Sequence, residues 1–200
     1  MIIKAENLSE AQLKRIRRLV GEAFVSNELF HNWGTEAERR KDVLKYMSIY
    51  VDYVYQAGEL YTNEDMTAFI GLEDSGDKPV MPQLKMIFRM FTKLSFSRIK
   101  SMLRFVKQIS KANERYAKRR HLDTLMVCVD KGHQGKGLAS ELIRFAKDKA
   151  DAKGIPLLFD TDMKAYAQMY RHFGCRLYNK VTADNGVTRY CLCYKGRPQV

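Results

Sequence analysis

The 200-residue chain is expected to fold as one α/β domain spanning 1–200, with a mixed sheet carrying helices on its faces. Three observations predict it. Apolar stripes at period 3.6 alternate with short β-branched runs, the last 80 residues read strand, helix, strand, helix, hairpin, and all of the excess charge sits in one stretch. The chain carries a formal net charge of +12, and residues 78–120 hold thirteen Lys and Arg against Glu114 alone. The rest is balanced, with 22 basic and 22 acidic residues. The molecule is thus a neutral body with a basic insertion at 78–120, rather than a basic protein. A hydrophobic content of 46% at this length suffices for one sizeable core.

Ile2 to Ala5 reads as a short strand. Ser9-x-x-Gln12 has the form of a capping box and opens a helix whose apolar stripe is Leu13, Ile16, Leu19, Val20, Ala23 and Phe24. A second box, Thr35-x-x-Glu38, opens a longer stripe from Val43 to Val54, with Gly58 placed to end it. Two strands follow, near Leu60 to Thr62 and Thr67 to Glu73, joined through Asn63-Glu64-Asp65. From Gln83 to about Arg120, Lys85, Arg89 and Lys93 recur beside Met86, Ile87, Met90, Phe91 and Leu94, and Lys100, Arg104, Lys107, Lys111, Arg115 and Lys118 continue the pattern. This predicts two basic amphipathic helices in a hairpin bent near Ser95 to Ser97. Leu122 to Asp130 reads as a buried strand, Lys131 to Gly137 as a glycine-rich turn, and Leu138 to Ala150 as a striped helix. A strand at Ile155 to Asp160, a helix from Lys164 to Phe173 closed by Gly174, and a hairpin turning at Asp184-Asn185-Gly186 complete the chain.

The segment Gln134-Gly135-Lys136-Gly137-Leu138-Ala139 joins a strand to a helix. Backbone N–H groups can converge there on an anion, and the helix N-terminus adds partial positive charge. Glycines at 135 and 137 and the small Ala139 let the backbone come close to a ligand, and Lys136 adds charge. Two other phosphate motifs fail on spacing. Ser140 stands where a dinucleotide fingerprint needs its third glycine, and Gly132 to Gly137 lacks the Lys-Ser pair of a P-loop. Taken alone, such a turn also serves as an ordinary loop.

Its surroundings narrow the choice. Val127-Cys128-Val129, then Gln134-x-x-Gly137-x-Ala139, a helix, a strand, and Met169-Tyr170-x-x-Phe173-Gly174-Cys175 before a hairpin resemble the GNAT superfamily of acetyl-CoA-dependent N-acetyltransferases. The likeness is close over about 122–195, and in the first 73 residues it extends only to element order. It implies a mixed, mostly antiparallel, twisted sheet flanked by helices, with the insertion between strands three and four. It also implies acetyl-CoA (coenzyme A) as acyl donor and no metal. Backbone contacts from Val127 and Val129, and from Gln134, Gly135, Lys136, Gly137, Leu138 and Ala139, would hold the cofactor. Tyr170 takes the family's general-acid position, and the Val129 N–H would polarise the thioester carbonyl. For the base, Asp123 and His121 are the candidates, beside direct attack by an already neutral amine; their plain readings are a solvent-facing carboxylate and a polar strand end. Three positions depart from the pattern: Lys131 for proline, Met163 for asparagine and Cys175 for phenylalanine.

The expected reaction moves an acetyl group to a primary amine, on a small molecule first. The alternatives are a protein lysine or aminoacyl-tRNA docked by the insertion, or a CoA-binding module without chemistry. Some relatives wall the acceptor site with helices at this place, so a lid or wall is the leading role for the insertion, whose charge would suit an anionic acceptor or the cofactor. A basic amphipathic helix also suits an anionic membrane, a calmodulin-like partner or nucleic-acid phosphate, the last with little aromatic stacking to help. His31 beside Trp33 lies where the fold often lines the acceptor pocket, although its leading reading is a surface loop. Cys128, Cys175, Cys191 and Cys193 lack zinc or disulfide-scaffold spacing. Charge at Lys4 and Glu6 interrupts any signal-peptide core, and no apolar run reaches the ~18 residues of a membrane span. A cytoplasmic protein is expected, with the C-terminal hairpin able to pair with a second subunit in a homodimer.

Overall fold

The computed structural model describes residues 1–110 and 118–196. Strand β1 (Ile2–Lys4) leads to helix α1 (Glu10–Phe24), a 3-10 segment (Glu28–Trp33) and helix α2 (Glu36–Gln56). Both predicted capping boxes form: the side chains of Ser9 and Thr35 accept from the N–H of Gln12 and Glu38, which reach back in return. Strands β2 (Leu60–Asn63) and β3 (Ala68–Asp74) precede helices α3 (Val80–Lys93) and α4 (Phe96–Ile109), and Ser95 caps α4 at the expected bend. Then come β4 (Leu122–Val129), α5 (Leu138–Lys153), β5 (Leu157–Thr161), α6 (Lys164–His172), β6 (Arg176–Thr182) and β7 (Thr188–Tyr194). The helical reading over Lys111, Glu114 and Arg115 lies outside the described residues. The 3-10 segment was not legible in the sequence; Phe30 and Trp33 anchor it in the core, edge-on to the ring of Tyr46.

The seven strands form one sheet in the order β1-β2-β3-β4-β5-β7-β6, antiparallel except between β4 and β5. One apolar cluster lies between the sheet and α1 and α2, around Ile16, Val43, Met47, Val54 and Phe69. A second lies on the opposite face beneath α5 and α6, around Ile70, Leu142, Ile143, Phe159 and Tyr170. Among the described residues, no helix is long and apolar enough to cross a membrane.

The insertion is tied into this body. Leu94, Ile99 and Met102 join the first cluster, and Phe105 and Ile109 pack on Ala183 and Val187 at the β6–β7 turn. Arg98 donates to Asp42 and to the Trp33 carbonyl. Asp52 of α2, 3% exposed, receives Arg17 of α1 and Arg89 of α3, each at 2.6 Å. Removing that carboxylate leaves Arg17 with Glu10 alone and Arg89 with no ion-pair partner among the described residues, so Asp52→Ala should lower unfolding free energy by about 2 kcal/mol in urea titration. Arg89→Ala, at a more exposed partner, should cost less.

A second buried carboxylate carries a pH dependence. Asp74 takes the Arg120 fork at 2.9 and 2.8 Å, Lys153 at 2.7 Å and the Gly76 N–H at 3.0 Å. The Arg120 hydrogen bond above all, then Lys153 and the Gly76 N–H, hold the carboxyl well below the usual carboxylate range despite burial. A depressed folded pKa contributes stability above the unfolded value and loses it as pH falls through the folded one. The urea midpoint should therefore fall between about pH 5 and pH 2, and Asp74→Asn should flatten that fall while starting lower at neutral pH.

Candidate active site

Strands β4 and β5 pair only at Leu122–Leu157, Asp123–Leu158 and Thr124–Phe159. Beyond Thr124 they part, β4 continuing along β3 to Val129 and β5 along β7 to Thr161. The β3–β4 register shifts between Gly71 and Leu72, opposite Leu125, and a bulge of this kind adds local twist where the strands diverge. The N–H of Asp130 donates to the Thr67 carbonyl at 2.8 Å. By the alternation of an antiparallel ladder, Met126 and Cys128 also bond toward β3, and Val127 and Val129 turn their backbone groups to the open side. Gln134 lies at the mouth of this gap, its amide 3.3 Å from the Val129 carbonyl.

The turn after β4 holds Gly135 at φ +78° and Gly137 at φ +83°, and a Cβ built on either would meet no atom within 4 Å. Glycine is thus required there by backbone conformation, and the space above it is open. Gly137 caps α5 with no side-chain bond to the helix start. The N–H groups of Leu138, Ala139 and Ser140 are left as orphan donors beside the exposed Lys136, an arrangement that suits a phosphate.

Tyr170 comes from α6 on the same face as α5. Its ring stacks on Phe159 at 4.4 Å, and Phe159 is paired to Thr124, the last residue before the strands part. Burial raises its pKa, and its hydroxyl makes no hydrogen bond among the described residues. A protonated phenol is thereby held at the level of the gap.

The α2 face of the gap is acidic. Glu73 accepts from Tyr53 of α2 and is paired across β3–β4 with Asp123, so both carboxylates share this face. His121, buried, places Nε2 3.2 Å from Asp123 and Nδ1 2.5 Å from the Arg119 carbonyl. A carbonyl only accepts, so Nδ1 carries a proton, and the contact to Asp123 needs one more shared by the pair. Burial raises the Asp123 pKa, His121 and Lys78 counter this, and Asp160 and Glu73 add to it. Asp160 lies 3.7 Å from Arg189, whose fork holds Asp162 at 2.6 and 2.8 Å. Tyr46 and Tyr50 close the far wall; burial pushes the Tyr46 phenol up to about 12, against the pull of Arg189, and raises Tyr50. The Tyr50 hydroxyl donates to the Leu125 carbonyl at 3.3 Å.

The candidates from the sequence therefore fall into four places: Val127 and Val129 on the open edge, Gln134 to Ala139 at its mouth, Tyr170 on one face and the Asp123–His121 pair on the other. His31 is exposed and pairs with Glu28, whereas Trp33 is buried. Sequence reasoning missed Glu73, Asp160, Asp162, Arg189 and the tyrosines of α2. The tyrosines left one signal: Tyr46, Tyr50 and Tyr53 repeat at i, i+4 and i+7, one helix face bearing hydroxyls. Among the described residues no group of three or more His, Cys, Asp and Glu is arranged to hold a metal.

Residues 105–175 match the family model for the acetyltransferase (GNAT) domain. No curated protein matches the chain. Solved structures share its fold at low identity. A histone acetyltransferase HPA2 and related acetyltransferase from Corynebacterium glutamicum aligns with TM-score 0.60 and 14% identity over 100% of this chain and 97% of that one. The apo form of an agmatine N-acetyltransferase aligns with TM-score 0.61 and 13% identity over 97% and 98%. The NatC complex bound to Gag peptide and CoA contributes a chain at TM-score 0.52 and 13% identity over 100% and 98%.

Proposed function

Because the chain carries an acetyltransferase (GNAT) domain on the fold of that group, we propose that it moves an acetyl group from acetyl-CoA to a primary amine of a small cationic molecule. The observation that carries this reading is the parted β4–β5 edge beside the uncapped start of α5. The residues present fit the cofactor: an extended arm can add to the open backbone groups of Val127 and Val129, and a pyrophosphate can sit on Gly135 to Ala139. When bound, acetyl-CoA supplies an activated thioester.

The chain's own groups do the rest. The Val129 N–H faces the gap and can donate to a carbonyl oxygen there as charge develops on it. Tyr170 donates its phenolic proton to the departing sulfur, and the Asp123–His121 pair, once it has lost the proton its members share, accepts the proton of the attacking amine from the other face. Glu73, Asp123, Asp160 and Asp162 outweigh Arg189 and Lys78 around the α2 face, which favours a cationic acceptor. That sign replaces the anionic acceptor suggested by the insertion's charge, since the carboxylates, not the basic helices, surround the gap. The fold-sharing agmatine N-acetyltransferase supports the same choice. We place the enzyme in the cytoplasm, where four free cysteines are at home.

Release of free thiol from acetyl-CoA with diamine and aminoguanidine acceptors tests the reaction. Cofactor binding by calorimetry with no transfer to any acceptor would instead leave a CoA-binding module. The base has its own test. If the Asp123–His121 pair takes the proton, kcat/KM rises with pH through an ionisation that burial places above the ordinary carboxylate range. In Asp123→Asn that limb disappears. A limb that persists there belongs to the substrate amine and overturns the assignment.

A further inference from the structure

Helix α3 has no buried residue along its whole length, although more than half of its side chains are large and apolar. At about 100° per residue, Val80, Leu84, Ile87, Phe88 and Phe91 fall with Met81 in one arc of about 120°. All six are exposed, Phe88 at 69%. The opposite side of the helix, with Met86 and Met90, makes the contact with the body, so the apolar arc faces outward. Lys85 borders the arc, whereas Lys93, exposed near the end of the helix, lies on the side opposite the arc. On α4, Phe96, at 74%, and Leu103 are exposed beside Lys100 and Lys107. Arg89 and Arg98 are committed to Asp52 and Asp42, but none of these four lysines has an ion-pair partner among the described residues.

We propose that α3 and α4 form a docking surface for an anionic lipid membrane, on which the apolar arc of α3 enters the headgroup–acyl boundary and the lysines meet lipid charges. A convex helix face with a continuous apolar arc and flanking cations is the form that lies in a bilayer interface, with lysine stems lying along the apolar surface and their heads reaching the phosphates. Charge complementarity selects the occupant. The insertion holds the molecule's whole excess of positive charge, and the cytoplasmic leaflet is anionic. A second copy of the chain fits poorly, because a two-fold interface sets a patch against itself and would oppose Lys85, Lys100 and Lys107 to like charges. Nucleic acid would satisfy the lysines and leave Leu84 and Ile87 against phosphates and water.

Sedimentation of the full chain with sucrose-loaded vesicles tests this. Binding is expected to vesicles containing about one third phosphatidylserine, and not to phosphatidylcholine alone, weakening as salt is raised. A Phe88→Ser, Phe91→Ser double variant should partition at least about tenfold less. Lys85→Gln with Lys100→Gln should weaken binding and flatten its salt dependence. No sedimentation with phosphatidylserine vesicles overturns the proposal. So does unchanged binding by the serine variant, the result of charge alone, and so does a wild-type dimer that leaves the vesicles unbound and that the serine variant dissociates. Phe88→Trp keeps an aromatic in place and covers the case of a serine variant that folds poorly: its emission should shift to the blue with phosphatidylserine vesicles, and unmoved emission counts against docking.

Discussion

Tyr170→Phe is expected to lower kcat by about a hundredfold or more and to leave the Kd for CoA within about twofold, because the substitution removes one proton donor and nothing else. The ring stays stacked on Phe159, and no hydrogen bond among the described residues is lost, so the melting temperature should not fall. Burial raises the phenol's pKa, which keeps it protonated across the working range. The wild type should accordingly show no alkaline loss of kcat below about pH 10 from this group. Calorimetry with CoA and steady-state kinetics on one preparation separate the roles. Unchanged kcat, or a lost affinity for CoA with kcat intact, would remove Tyr170 from the chemistry.

Gly137→Val should abolish cofactor binding to within measurement, at least about a hundredfold in Kd for CoA, by two separable routes. At φ +83° a β-branched residue is strained, which should cost about 1–3 kcal/mol of stability in the unliganded protein. The new side chain also stands in the space over the α5 N-terminus, open in the protein alone and needed by a phosphate. Gly186→Val supplies the control. It lies in the β6–β7 turn at the same φ of +83°, again with nothing near its Cβ, and strand β5 separates that hairpin from β4 and the turn that follows it. Both variants should lose similar stability in urea, and only Gly137→Val should lose CoA. Equal affinities would mean that the turn holds no pyrophosphate.

Local features were legible from the chain because each depends on a few adjacent residues. Ser9 with Gln12 and Thr35 with Glu38 close as capping boxes whatever the rest of the molecule does. Ser95 starts α4 where the basic pattern breaks, and Gly186 turns the final hairpin. The 3-10 segment at Glu28–Trp33 escaped notice because Phe30 and Trp33 are held by Tyr46, a contact between distant residues, and not by local propensity. The insertion was legible as two amphipathic helices. Which face of α3 met the body was not, since Met86 and Met90 are no more apolar than the exposed Leu84 and Phe88.

The same division runs through the candidate site. By itself the sequence determined that an anion could be cradled at Gln134 to Ala139, because two glycines and a helix start are consecutive in the chain. Its resemblance to a known family named that anion. Only the tertiary structure brought Glu73, Asp123 and Asp160 together with the tyrosines of α2, on strands and a helix separated by up to about a hundred residues of chain. It also parted β4 from β5 beyond Thr124, which frees the Val127 and Val129 backbone. Carboxylates scattered along a sequence have no common potential until pairing registers set them side by side. The sign of the proposed acceptor pocket is therefore a property of the sheet, whereas the proposed cradle is a property of the chain.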